Sequence, residues 1–142
     1  MKKAVCLLLC LVCVSLALFS CAGAPRIERE SWVLATATHY GEIICVSSDY
    51  AASAPSAEVI DCTLTAKGGT LTVKDNTNGL VFTGAYEKRE EPGPTTADHS
   101  VSFQGARGRI LLSRTALAEG EDSVPTLTLT VDEYALSFVA KK

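Results

Sequence analysis

The stretch CTLTAKGGTLTVKDNTNGLVFTGAY, residues 62–86, decides the fold. Cys62, Leu64 and Ala66 fall on one side of an alternating run and Thr63, Thr65 and Lys67 on the other, the period of a half-buried strand. Lys67-Gly68-Gly69-Thr70 marks a tight turn, because glycine accepts the positive φ that two-residue hairpin loops require. Leu71 and Val73 alternate with Thr70, Thr72 and Lys74 on the return strand. Asp75-Asn76-Thr77-Asn78-Gly79 is a second turn, and Leu80, Phe82, Gly84 and Tyr86 form one face of the next strand.

The same grammar extends both ways. Upstream, Trp32 and Leu34 alternate with Val33 and Ala35 on a strand ending near Tyr40-Gly41, and His39 is expected on the face opposite Trp32. Ile43 and Cys45 are expected to share a face on the next segment, and a turn or two of helix is expected within Ser56–Ile60. Downstream, the charged run Glu87–Glu91 and Pro92-Gly93-Pro94 mark a loop. Val101 and Phe103 sit on a short strand, Gln104–Gly108 turns into a strand over Arg109–Thr115, and an acidic loop covers Ala116–Pro125. Two closing strands carry Leu127, Leu129 and Val131, then Tyr134, Leu136 and Phe138. About eight short strands without a long helix predict an all-β, antiparallel meander, closed into a small β-barrel or folded as a β-sandwich. Closure is favoured because it removes exposed sheet edges. The inward set is expected to include Trp32, Leu34, Phe82, Tyr86, Leu129, Leu136 and Phe138.

Ahead of this domain lies an address. Lys2 and Lys3 precede an apolar run, Ala4–Phe19, broken only by Ser15. That is the layout of a signal peptide, and the run is shorter than the roughly 20 residues of a spanning helix. Leu18-Phe19-Ser20-Cys21 resembles a bacterial lipobox, which implies diacylglycerol on the Cys21 thiol and cleavage ahead of it. The alternative is ordinary cleavage after Ala22-Gly23-Ala24, which would leave Pro25 directly after the cut. The expected organisation is therefore a signal peptide over 1–20, a lipidated N-terminus and flexible tether over 21–30, and a β-barrel domain over 31–142. Ala22 stands where an aspartate often retains lipoproteins at the inner membrane, so the resemblance implies an exported, lipid-anchored protein of the cell envelope, outer membrane rather than inner.

Charge and cysteines narrow the classes. The net charge is −3 with a pI near 5.4, and loss of Lys2 and Lys3 makes the mature body more acidic. No basic cluster supports nucleic-acid or polybasic lipid binding. Of six cysteines, Cys6, Cys10 and Cys13 lie in the signal and Cys21 carries lipid. Cys45 and Cys62 remain, and an even pair in an exported chain predicts a disulfide.

The domain also resembles small lipocalin-like lipoproteins of bacteria, through Ser31-Trp32-Val33-Leu34, residues 64–73, Phe82-Thr83-Gly84-Ala85-Tyr86, Leu127-Thr128-Leu129 and Leu136-Ser137-Phe138. It is similar, less closely, to the META domain of exported bacterial proteins, whose asparagine-containing turn corresponds to Asn78-Gly79. Both resemblances imply β architecture, and neither carries a catalytic set or cofactor.

No nucleophile elbow, zinc helix, P-loop or dinucleotide fingerprint occurs. The two histidines, His39 and His99, are too few for an evident metal site. Ser100 adjoins His99, but strand neighbours point to opposite faces. Arg107-Gly108-Arg109 reads as a solvated hairpin. The expectation is a non-catalytic protein without cofactor or metal. The positive signal is aromatic: Trp32, Phe82, Tyr86, Phe103, Tyr134 and Phe138 sit on apolar faces at strand spacing, and Trp32, Phe82, Tyr86, Phe103 and Phe138 line either a packed core or a cavity for a small apolar ligand or lipid. Two functions follow, an apolar-ligand-binding module and a solid-core envelope protein that contacts another protein.

Overall fold

The computed structural model describes residues 25–89, 96–116, 119–120 and 122–141. Cys21, the expected lipidation site, and the expected signal peptide over 1–20 lie outside the described residues. Ten strands are present among those described: β1 (Trp32–His39), β2 (Glu42–Val46), β3 (Glu58–Val59), β4 (Cys62–Lys67), β5 (Thr70–Asp75), β6 (Leu80–Lys88), β7 (Ala97–Phe103), β8 (Ala106–Thr115), β9 (Val124–Val131) and β10 (Tyr134–Ala140). Strands β4 to β10 run as an antiparallel meander, and β10 pairs with β1 to close an eight-stranded barrel. The sandwich alternative is excluded. Strands β2 and β3 add to the upper half of β1, whose lower half pairs with β4.

Turn chemistry sets the hairpins. Gly68 and Gly69 both have positive φ, as do Tyr40-Gly41 and Gln104-Gly105, so each of these two-residue loops has the left-handed backbone that matches strand twist. Gln104-Gly105 is the whole of its turn, and Arg107-Gly108-Arg109 belongs to β8 instead of a solvated hairpin. The expected helical turn also moves: a 3-10 helix occupies Ser48–Ser53, while Glu58–Val59 forms the short β3.

Two bulges change which side chains point inward. On β1, Leu34 faces Phe138 and Thr36 faces Ser137, leaving Ala35 as the extra residue. One inserted residue shifts a period-two pattern by one, so Ala37 and His39 join Trp32 and Leu34 on the inner face. His39 therefore shares the face of Trp32 and does not oppose it. On β2, Cys45 pairs with Ala37 but Ile43 pairs with Thr38, so Ile44 is extra and Ile43 turns outward, away from the face of Cys45.

The lower barrel is filled. Trp32, Leu34, Leu64, Leu71, Ile110, Leu112, Leu127 and Phe138 are each under 2 % exposed and belong to one continuous cluster. Each such burial is worth about 1.5–3 kcal/mol in transfer terms. The N-terminal segment belongs to this core. Ile27 is 4 % exposed, and its carbonyl accepts the Trp32 indole N–H at 3.0 Å. The expected flexible tether over 21–30 is thus corrected from Pro25 onward, because these residues pack against one end of the barrel.

Candidate functional site

The two ends of the barrel differ in kind. One end carries the N-terminal segment, the Gly68-Gly69 turn and the C-terminus, where Lys141 N–H donates to the Ser31 carbonyl at 2.7 Å. It is closed by Ile27 and latched by Glu28, whose carboxylate accepts the Tyr86 hydroxyl and the Gly68 N–H. The Tyr86 hydrogen bond, aided by the Gly68 and Gly69 N–H groups and opposed by burial, holds the Glu28 carboxyl below its usual range. Burial, then the Glu28 bond, pushes the Tyr86 phenol up.

The other end bears the turns β1–β2, β5–β6, β7–β8 and β9–β10, and it is open and apolar. Tyr40, Leu80, Val81, Phe82 and Tyr134 are there, between 45 and 73 % exposed. Beneath them Phe103, Val131 and Leu136 are half-buried against the core. The His39 ring stacks on Tyr134 at 4.4 Å and 14°, and Tyr40 tilts against His39 at 4.5 Å and 48°. Tyr40 N–H donates to the Glu133 carbonyl at 3.1 Å, joining two turns. Tyr40 also has φ +50°, a conformation uncommon for a bulky side chain. A costly backbone position holding an exposed ring is the signature of a site more than of a scaffold.

The five aromatic residues read as a core or a cavity lining therefore separate. Trp32 and Phe138 are fully buried and Tyr86 is 9 % exposed. Phe103 lies over Gly84, where an added Cβ would approach its ring to 2.7 Å, so the glycine makes room for the phenyl. Phe82 is 51 % exposed, which corrects its expected place inside. Its parity is inward, opposite Val73, but β7 pairs with β6 only from Ala85 on. Leu80–Thr83 overhangs the wall.

The expected Cys45–Cys62 disulfide is not formed, and both thiols are free. Cys45 lies on β2 opposite Ala37, Cys62 opens β4 opposite Asp75, and β2 and β4 do not pair with each other. Burial, reinforced by Asp75, Asp61 and Cys45, pushes the Cys62 thiol up to about 11. Burial and then Glu58 and Asp75 push Cys45 up as well. Protonated thiols are poor nucleophiles and poor metal ligands.

Other chemistry-bearing groups do not converge. His99 points inward with its ring edge to Tyr86 at 5.7 Å, while Ser100 lies on the opposite face of β7. Asp98, on the outer face and 7 % exposed, holds Arg109 through both carboxylate oxygens at 3.0 Å. An outer groove of about 260 Å³ runs past Arg107, Gly108, Arg109, Thr130 and Asp132. Among the described residues no three His, Cys, Asp or Glu side chains gather as a metal set, and no helix is long and apolar enough to cross a membrane.

Comparison with protein-family models, curated proteins and solved structures gives no match. The barrel is compatible with the lipocalin-like resemblance.

The residues missed in the sequence are Ile27, Glu28, Tyr40, Leu80 and Val81, whereas Tyr134 is among the aromatics on apolar faces. Tyr40-Gly41 carried a signal: a bulky residue in a two-residue turn where Asn or Gly is usual.

Proposed function

We propose that this chain is an exported lipoprotein of the cell envelope, anchored through Cys21, whose non-catalytic barrel is a binding module acting at its open end. The observation that carries this reading is the contrast between a filled, self-plugged end and an end where Tyr40, Leu80, Phe82 and Tyr134 stay exposed. A soluble domain leaves such apolar groups together mainly where something covers them. Of the two functions drawn from the sequence, the filled lower barrel favours recognition of another protein over an enclosed ligand. His99 and Ser100 on opposite faces support a non-catalytic barrel.

A second reading, a small apolar molecule seated in the mouth, is favoured by the half-buried Phe103, Val131 and Leu136 below the rim. Solvent extraction of the purified protein separates the two. An apolar molecule recovered at one per chain, and lost with Phe82→Ala, supports the small ligand. Recovery of none, with Phe82→Ala still weakening association with envelope proteins, supports the protein partner.

A further inference from the structure

We infer that the open end docks an extended, cationic, amphipathic segment of another protein; this rests on the open end being the binding surface and adds the partner's chemistry. Charge gives the first argument. The turns and strand ends there carry Glu42, Glu58, Asp61, Asp132 and Glu133, with Lys74 and Arg107 as the basic side chains. Asp75 adds a further carboxylate, engaged with Asn78. The closed end is mixed, with Arg26, Arg29, Lys67, Arg89 and Arg114 among Glu28, Glu30 and Glu87. An apolar surface rimmed by carboxylates complements an apolar segment carrying lysines or arginines and repels an anionic bilayer.

The length of chain before the barrel gives the second. Between Cys21 and Pro25 the backbone reaches at most about 14 Å. Pro25 and Ile27 are buried at the closed end. The eight residues of β1 rise about 20 Å once barrel tilt is allowed for. An acylated Cys21 therefore holds the closed end at the bilayer and keeps Tyr40, Phe82 and Tyr134 away from it. The occupant is not the anchoring membrane.

The backbone gives the form of the segment. Leu80–Thr83 pairs with β5 on one side, and its pairing with β7 begins only at Ala85. Its second edge offers unpaired main-chain groups, without the charge, proline or bulge that normally blunts an edge. An extended peptide adds to such an edge as a strand, its alternate side chains meeting the apolar rings and the carboxylates.

The test is binding of three fluorescent twelve-residue peptides to the full mature protein: leucine alternating with lysine, with glutamate, and with serine. Anionic phospholipid vesicles form a fourth arm. The Leu/Lys peptide should bind at least about tenfold more tightly than the others and lose affinity with rising salt. Asp132→Asn with Glu133→Gln should erase the preference for lysine. Tyr40→Asn with Phe82→Ser should abolish binding while leaving the melting temperature at or above that of the parent, because Asn accepts the φ of Tyr40. Equal binding of the Leu/Ser or Leu/Glu peptide, still lost in Tyr40→Asn/Phe82→Ser, overturns the cationic partner and leaves the open end as the site. Binding indifferent to those variants, or vesicle binding through the open end, overturns both.

Discussion

The Trp32 indole donates its N–H to the Ile27 carbonyl at 3.0 Å, tying the segment before the first strand to the floor of the barrel. The contact makes the N-terminal residues part of the core and defines which end is closed. Trp32→Phe keeps most of the apolar area but leaves the Ile27 carbonyl without its donor. The expected cost is about 1–3 kcal/mol, read as a lower urea midpoint with an unchanged denaturant slope.

Glu28 contributes to the acid limb of stability. Its folded pKa lies below the unfolded one because the Tyr86 hydroxyl and backbone N–H groups bond to the charged carboxylate. The contribution is present above the ordinary glutamate value of about 4.3, and it is lost as pH falls through the depressed value. Asp75, held down by Asn78, behaves alike. Urea midpoints from pH 6 to 2.5 should fall less steeply in Glu28→Gln and Asp75→Asn than in the parent. On the alkaline side the raised Tyr86 phenol contributes below about pH 10 and loses that contribution above it.

Phe82 and Phe138 separate the mouth from the core. Phe138 is 1 % exposed and Phe82 51 %. Phe138→Ala should cost about 3–5 kcal/mol through lost transfer energy and a cavity. Phe82→Ala should cost less than about 1 kcal/mol, as surface changes do. Equal, large losses measured by denaturant unfolding would place Phe82 in a packed interior.

Cys45 and Cys62 should react slowly with iodoacetamide in the folded protein at pH 7.5, the Cys62 rate climbing steeply toward pH 11, because burial raises both thiols. Unfolding without reductant should release two alkylatable thiols. Finding none would mean that the pair is bridged in the cell.

The meander was legible because Gly68-Gly69 and Asn78-Gly79 punctuate clean alternation, and the strands they join appear where period two puts them. Alternation is local and cannot register an inserted residue whose cause lies on a neighbouring strand. Ala35 and Ile44 look like ordinary members of their runs, yet the partners β10 and β1 make each a bulge, which moves His39 inward and Ile43 outward. Phe82 fails differently. Its parity is right, but exposure depends on where β7 stops, and nothing within β6 encodes that. Ile27 was hidden by its proline-marked, charged surroundings, which read as a tether until the barrel supplies a floor for it.

Intact mass spectrometry of the protein from cell membranes, under conditions that preserve non-covalent complexes, tests most directly the proposal that a filled barrel is anchored at its closed end. The expected mass is a chain beginning at Cys21 plus its acyl groups and nothing else. A chain beginning at Pro25 without lipid, or one apolar molecule retained per barrel, would contradict it.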